Sequence, residues 1–284
     1  MSVTLRPAVP EDAEACGIIC YEAFSAISDA HNFPRDFPSA EVAIGILRML
    51  IHHPGFYGVV AERDGKIVGS NFMDERCPVF GIGPITVDPT VQNQGIGRRL
   101  MLDTVERGLA NAPGVRLLQA GYHNRSLCLY TSIGFHTREP LSVMQGPPLN
   151  IQFPGYNVRP AQAEDANACD AICHDVHGFK RRRELEDAIH QKTARVVEHT
   201  GRITGYATDV AFFGHTACRT NQDLMALIGA APAFEGPGFI LPTRNHEVFS
   251  WCLANGLKLV EPMTLMTIGL YQEPSGAWMP SVLY

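Results

Sequence analysis

Hydrophobic and polar positions change period repeatedly along the chain, and each change marks an element. Residues 4–8 predict a short strand. Pro10-Glu-Asp-Ala13 then opens a helix with an apolar face of Ala15, Ile18, Ile19 and Phe24. Helical spacing resumes over 39–52. Between the two lies His31-Asn-Phe-Pro-Arg-Asp-Phe-Pro38, whose two prolines resist regular structure. Residues 58–62 and 66–73 read as strands joined at Asp64-Gly65, a strong hairpin signal. The tract 74–84 leads into the β-branched run Ile85-Thr-Val87, predicted as a buried central strand that Pro89 ends. After the polar turn Gln92-Asn-Gln-Gly-Ile-Gly97, Leu100, Met101, Thr104, Val105 and Leu109 recur at helical spacing. Residues 115–121 form a further strand. A short helix follows, with Asn124 as its cap and Gly134 as its stop, and a strand over 135–143 completes a first unit.

The order then starts again. Leu5-Arg-Pro-Ala8 recurs as Val158-Arg-Pro-Ala161, Glu11-Asp-Ala13 as Glu164-Asp-Ala166, and Cys16/Cys20 as Cys169/Cys173. Farther on, Gly65-Lys-Ile-Val-Gly69 matches Gly201-Arg-Ile-Thr-Gly205, and Gly134 with Glu139-Pro140 matches Gly256 with Glu261-Pro262. The chain reads as a tandem duplication: a first domain over 1–146, a Pro/Gly-rich linker over 147–156, and a second domain over 157–284.

The turn at 92–97 carries the chemistry. A strand, a glycine-bearing turn and a helix leave main-chain N–H groups exposed where the helix dipole is positive, which suits a phosphate or diphosphate. Gly95 and Gly97 let a ligand approach the backbone without a Cβ in the way. A Rossmann turn would need a third glycine where Leu100 stands, and a P-loop would need Gly-Lys-Ser/Thr; neither is present. Gln92, Gly95 and Gly97 instead meet the pattern Gln/Arg-x-x-Gly-x-Gly/Ala, which resembles the acetyl-CoA turn of the GNAT superfamily of N-acyltransferases. Asn124-Arg-Ser-Leu-Cys-Leu-Tyr130 with Gly134-Phe135 resembles the family's later motif.

The resemblance implies an α/β fold, a mixed sheet flanked by helices, in two tandem acyl-CoA N-acyltransferase domains. It implies acetyl-CoA as co-substrate, held by Ile85, Thr86 and Val87 of the central strand, by Gln92, Asn93, Gln94, Gly95, Ile96, Gly97 and Arg98, and by Asn124 and Tyr130. It implies Tyr130 as the acid that protonates the leaving thiolate, and the loop 31–38 as facing the acceptor. Many relatives carry an acidic residue early in the central strand, but Gly83-Pro84-Ile85-Thr86 stands there. Glu75, at the end of the preceding strand, is then the nearest candidate base beside Asp74, with His123 and His31 as further candidates.

The second copy lacks this equipment. No Gln-x-x-Gly-x-Gly lies between Gly205 and Gly256, prolines interrupt 229–238, and Cys252 falls where Tyr130 would repeat. One active site per chain is expected, in the first half.

Composition narrows the partners. Apolar residues make up 45% and charged residues 18%, the balance of a folded domain. A net charge of −6 argues against nucleic acid. No apolar run is long enough for a membrane helix, so a cytoplasmic protein without membrane association is expected. The eight cysteines include no Cys-x-x-Cys pair and read as buried thiols, with no metal expected. The thiol of Cys128 is expected to point into the core. The basic run Lys180-Arg-Arg-Arg183, offset by Glu184, Glu186 and Asp187, reads as a solvated helix start. The activity implied is acetyl transfer to a small-molecule or peptide amine by a monomer or homodimer; a non-catalytic acyl-CoA sensor is the other reading.

Overall fold

The computed structural model describes residues 3–283. The chain forms two compact units. The first comprises residues up to 137 together with 266–270 and Leu283; the second comprises 138–265 and 271–282.

The first unit runs β1 (Thr4–Pro7), α1 (Ala13–His31), α2 (Ala40–His52), β2 (Phe56–Arg63), β3 (Lys66–Asp74), β4 (Phe80–Val87), α3 (Ile96–Asn111), β5 (Gly114–Ala120) and α4 (Asn124–Ile133). Its strands lie in the order β1-β2-β3-β4-β5, antiparallel up to β4 and parallel from β4 to β5. The hairpin turns at Asp64-Gly65, both at positive φ as a tight primed turn requires. Val115 and Leu117 of β5 join Met101, Val105, Tyr130 and Phe135 in one apolar cluster. A second cluster sets Ile96 and Leu100 of α3 on Val59, Ala61 and Val68. Beneath α3, Asn71 donates to the Thr104 hydroxyl at 2.8 Å, which satisfies a buried amide.

Two features of β4 depart from the sequence reading. The strand begins at Phe80, five residues before the β-branched run, and contains Pro84 after a cis Gly83–Pro84 peptide. Pro84 has no N–H for a ladder, and none is asked of it. The register with β3 jumps from Met73↔Ile82 to Asn71↔Ile85, which leaves Gly83 and Pro84 unpaired.

The second unit contains most of β6 (His136–Gln145), then β7 (Tyr156–Pro160), α5 (Ala166–His177), α6 (Arg182–Gln191), β8 (Arg195–His199), β9 (Arg202–Ala207), β10 (Thr216–Cys218), α7 (Asn221–Gly229), β11 (Phe239–Pro242), α8 (His246–Ala254), β12 (Lys258–Gly269) and β13 (Ala277–Met279). A five-stranded antiparallel sheet has the order β13-β10-β9-β8-β7. The tail after Tyr271 supplies β13, so it is ordered. The end of β12 and Leu270 after it, residues 266–270, count with the first unit, where the Leu270 N–H donates to the Pro113 carbonyl at 2.9 Å. The tract read as a linker packs: the Ile151 N–H donates to Gly229 at 2.9 Å, and Leu149 and Phe153 lie against the second unit's core.

The duplication is visible in side-chain chemistry. Arg6 bridges Asp12 at 2.7 Å and Glu62 at 3.0 Å; Arg159 bridges Asp165 at 2.7 Å and Glu198 at 2.7 Å. In each unit the aspartate also takes the N–H of the residue three before it, Val9 or Gln162. In each, a β-bulge falls beside the glutamate.

Two expectations about single side chains fail. Cys128 is the exposed one of the eight cysteines, because that face of α4 has nothing packed over it. Arg181 is not solvated. It is buried against the Glu184 carboxylate, while Arg182 turns to Asp170 at 2.8 Å. Pairing three residues apart within one helix turn neutralises the buried charge.

Candidate active site

The site is built at the far ends of β4 and β5. Their parallel ladder consists of Phe80↔Val115 and Gly81↔Arg116 and then stops, so the strands diverge over Ile82 to Val87. The β5-facing main-chain groups of β4 are thereby released from sheet pairing. Ile85 and Val87 pack on the side of α3, whereas Thr86 is buried on the opposite face, its hydroxyl 3.4 Å from that of Ser70. Ligands of parallel sheets sit outside such carboxyl ends, in the crevice between diverging strands.

The turn from β4 to α3 is shaped by three devices. Asp88 caps a short 3₁₀ turn by accepting the Thr90 N–H at 2.8 Å. The Gln92 amide donates to the Val87 carbonyl at 3.1 Å, tying the turn back to β4. Asn93 and Gly95 take positive φ, 64° and 81°. Gly95 occupies the N-cap position and has no side chain to offer the helix. The first intrahelical bond is Arg99 N–H to Gly95, so the amides of Ile96, Gly97 and Arg98 lie ahead of the ladder.

Cations collect around this turn. Arg125 of α4 donates to Asn93 Oδ1 at 2.6 Å, Arg63 of β2 to Gln94 Oε1 at 2.8 Å, and Arg98 to the Ser132 hydroxyl at 2.8 Å. Arg63 and Arg125 escaped the sequence reading because they lie some thirty residues away on either side; only folding brings them to the turn. The concentration of guanidinium and bare amide suits a polyanion.

Tyr130 sits on α4 inside the apolar cluster, edge-on to Phe135 at 6.1 Å. Burial raises its pKa well above the usual phenol value, so the hydroxyl stays protonated. Asn124 is the first residue of α4 rather than its cap. His123 holds the cap position, and neither supplies a side-chain cap. Gly134 ends the helix at φ 113° as read.

Glu75 lies elsewhere. Both its oxygens meet Arg107, at 2.7 and 3.1 Å, on the third turn of α3 from the glycine turn. Asp74 is likewise held by Arg76 at 2.6 Å. What does gather near the divergence is aromatic. Phe33 stacks on Tyr122 at 4.0 Å, and the His31 ring stands 5.4 Å from Tyr122 and 6.4 Å from His123. Burial first, then Arg125 and His31, hold His123 below the ordinary histidine pKa.

The second unit presents a different surface at the matching helix. Thr220 caps α7 through the Asp223 N–H, while Asp223 returns a bond to the Thr220 N–H. The Asp223 amide is thus taken up within the cap, and the Asp223 carboxylate stands at the helix start. Cys252 is fully buried, its thiol pushed up to about 12 by desolvation. Among the described residues there is no helix long and apolar enough to cross a membrane, and no cluster of metal-ligating side chains.

Comparison with known proteins agrees with this geometry. Residues 54–137 match the family model described as an acetyltransferase (GNAT) domain. Among solved structures, a candidate acetyltransferase from Pyrococcus horikoshii is similar at a TM-score of 0.76 and 17% identity, covering 97% of this chain and 92% of that one. A GCN5-related N-acetyltransferase from Sphaerobacter thermophilus gives 0.62 and 17%, covering 95% and 96%. A tandem GNAT protein of the clavulanic acid biosynthesis pathway gives 0.55 and 14%, covering 94% and 98%. No match is found among curated proteins. The segment 54–137, with its diverging strands and bare helix start, is similar to a GNAT acetyltransferase domain, and the chain shares its fold with these acetyltransferase and tandem GNAT structures.

Proposed function

We propose that the first unit transfers the acetyl group of acetyl-CoA to an amine, and that the second unit is not a catalytic copy. The observation that carries the reading is the uncapped start of α3, ringed by Arg63, Arg98 and Arg125, at the mouth of two diverging strands. Amides 96–98 and those guanidiniums would hold the diphosphate. Pantetheine would run between α3 and α4 into the divergence, where the released main-chain groups of Ile85 to Val87 would pair with its amides and polarise the thioester carbonyl. Asn124 would border that arm. Gln92 and Asn93 act by bracing the turn, through Val87 and Arg125.

The chemistry is direct attack. An alkylamine of pKa about 10 costs about 4 kcal/mol to deprotonate at pH 7. Tyr130, kept protonated by burial, would give its proton to the departing thiolate, a contribution on the order of 10²–10⁴-fold. Glu75 stays outside this proposal, because both its oxygens are paired with Arg107, about three turns along α3 from the glycine turn. The acceptor is a small-molecule or peptide amine.

Calorimetry with acetyl-CoA, followed by a free-thiol release assay over a panel of amines, tests the reading. One site per chain and thiol release that depends on the amine are expected. Binding without release by any amine would favour an acyl-CoA sensor, and absence of binding would end both readings.

A further inference from the structure

We propose that the His123 imidazole, at the junction of β5 and α4, accepts the proton of the incoming amine, and that His31 passes it on to water. The inference rests on the acetyl-transfer reading and adds to it the identity of the base.

Placement comes first. β5 ends at Ala120 and α4 begins at Asn124, so His123 stands at the carboxyl end of β5, on the side to which β4 and β5 diverge. α1 ends at His31, and the loop after it is pinned to the same junction by the parallel stack of Phe33 on Tyr122, 4.0 Å apart and 8° from coplanar. The His31 and His123 rings lie 6.4 Å apart, nearly perpendicular. His123, at the crevice end of β5, is half-buried, and His31 is exposed.

Protonation states follow. The Nδ1 of His31 lies 2.9 Å from the Ile27 carbonyl, which can only accept; Nδ1 therefore carries hydrogen, and Nε2 is the nitrogen left for the relay. The groups facing His123 are His31 from α1 and Arg125 from α4; with burial they disfavour a second proton on the ring. The imidazole is thus neutral at neutral pH, as a base must be. Arg125 also holds Asn93 of the glycine turn at 2.6 Å. An anion bound at that turn would offset the Arg125 charge and raise the proton affinity of His123. Cofactor binding would therefore improve the base.

The balance is complete. The ammonium gives one proton to His123. The neutral amine attacks the thioester carbonyl, and a C–N bond forms. As the C–S bond breaks, the sulfur leaves with its electron pair and takes the Tyr130 proton. The amide nitrogen returns its surplus proton to the Tyr130 oxygen. His123 loses its proton to solvent through His31, so one proton is released for each ammonium acetylated.

The test combines three measurements on the full chain. Thiol release is followed from pH 5 to 9 with acetyl-CoA and whichever of spermidine, tyramine, glycinamide or an alanine-starting peptide turns over fastest. His123→Gln is expected to lower kcat on the order of 100-fold and to erase the acid limb of the profile, with acetyl-CoA affinity by calorimetry within twofold of the parent. His123→Gly is expected to regain activity with added imidazole. By NMR the His123 ring is expected to titrate below about 6.5, and to move upward when coenzyme A is added. A parent that binds acetyl-CoA, with His123→Gln within threefold in kcat and an unchanged acid limb, overturns the assignment. If no amine in the panel turns over, a His123 titration indifferent to coenzyme A overturns it. A parent that does not bind acetyl-CoA at all overturns the acetyl-transfer reading instead.

Discussion

Gly97→Leu, a bulky change in the glycine turn, separates holding a ligand from holding the fold. A Cβ at this position would meet Val87 Cγ2 at 3.6 Å and Leu129 Cδ2 at 3.9 Å, ordinary contact distances, and Gly97 has helical backbone within α3. The folded chain therefore accepts a Cβ there, from which a longer side chain can extend. Leucine, like alanine, is up to about 1 kcal/mol better than glycine in a helix, so Tm should stay within a few degrees of the parent. Binding should weaken. The leucine side chain would stand between the end of β4 and α4, where the acetyl-transfer proposal puts the pantetheine arm. Lifting the diphosphate off one or two of amides 96–98 forfeits charge-assisted hydrogen bonds of about 1.5–3 kcal/mol each. At about 1.4 kcal/mol per decade, that is on the order of 10- to 10⁴-fold in Kd. Calorimetric titration with coenzyme A, beside a thermal melt, reads both quantities. Gly95→Ala is the contrast: nothing crowds its Cβ, but φ 81° strains any L-residue by about 1–2 kcal/mol, so stability should fall there too. A folded Gly97→Leu protein with parental Kd would refute the placement of the diphosphate, and with it the reasoning from the glycine turn.

Three further outcomes follow from the geometry. Tyr130→Phe should lower kcat by 10²-fold or more while leaving acetyl-CoA affinity near the parent value, since the ring keeps its place beside Phe135; parental kcat would remove Tyr130 from the acid role. Glu75→Gln should leave the pH–rate profile in place and cost at most about 1 kcal/mol of stability by chemical denaturation, as a part-exposed ion pair does; loss of the acid limb would restore Glu75 as base. Asp12→Asn and Asp165→Asn should each cost about 1.5–3 kcal/mol at pH 7. The Arg6 and Arg159 guanidiniums hold these carboxyls below the usual range. That stabilisation is therefore present above the unfolded value near 3.8 and is lost as pH falls through the lower folded values. The parent should lose stability below about pH 4 more steeply than either variant in acid titrations followed by circular dichroism.

Local pattern determined a great deal about this protein. The hairpin at Asp64-Gly65, the helix stop at Gly134 and the glycine turn at 92–97 are set by residues near one another in the chain. Backbone conformation there depends on a missing Cβ or a nearby side chain, so the sequence displays them directly. The repeat was legible for the same reason: Arg6 with Asp12, and Arg159 with Asp165, close over six residues. What the chain alone could not show depends on partners far away. Pro84 belongs to β4 because a register jump against β3 excuses its missing N–H. Arg181 is buried because the fold seats its guanidinium and Glu184 together. Glu75 looked available until Arg107, on another element, claimed both its oxygens. The meeting of Arg63 and Arg125 at the turn, and of His31 with His123 beside Tyr122, likewise joins residues from separate elements. Charge and proton affinity are set by neighbours in space, and only the tertiary structure chose those neighbours.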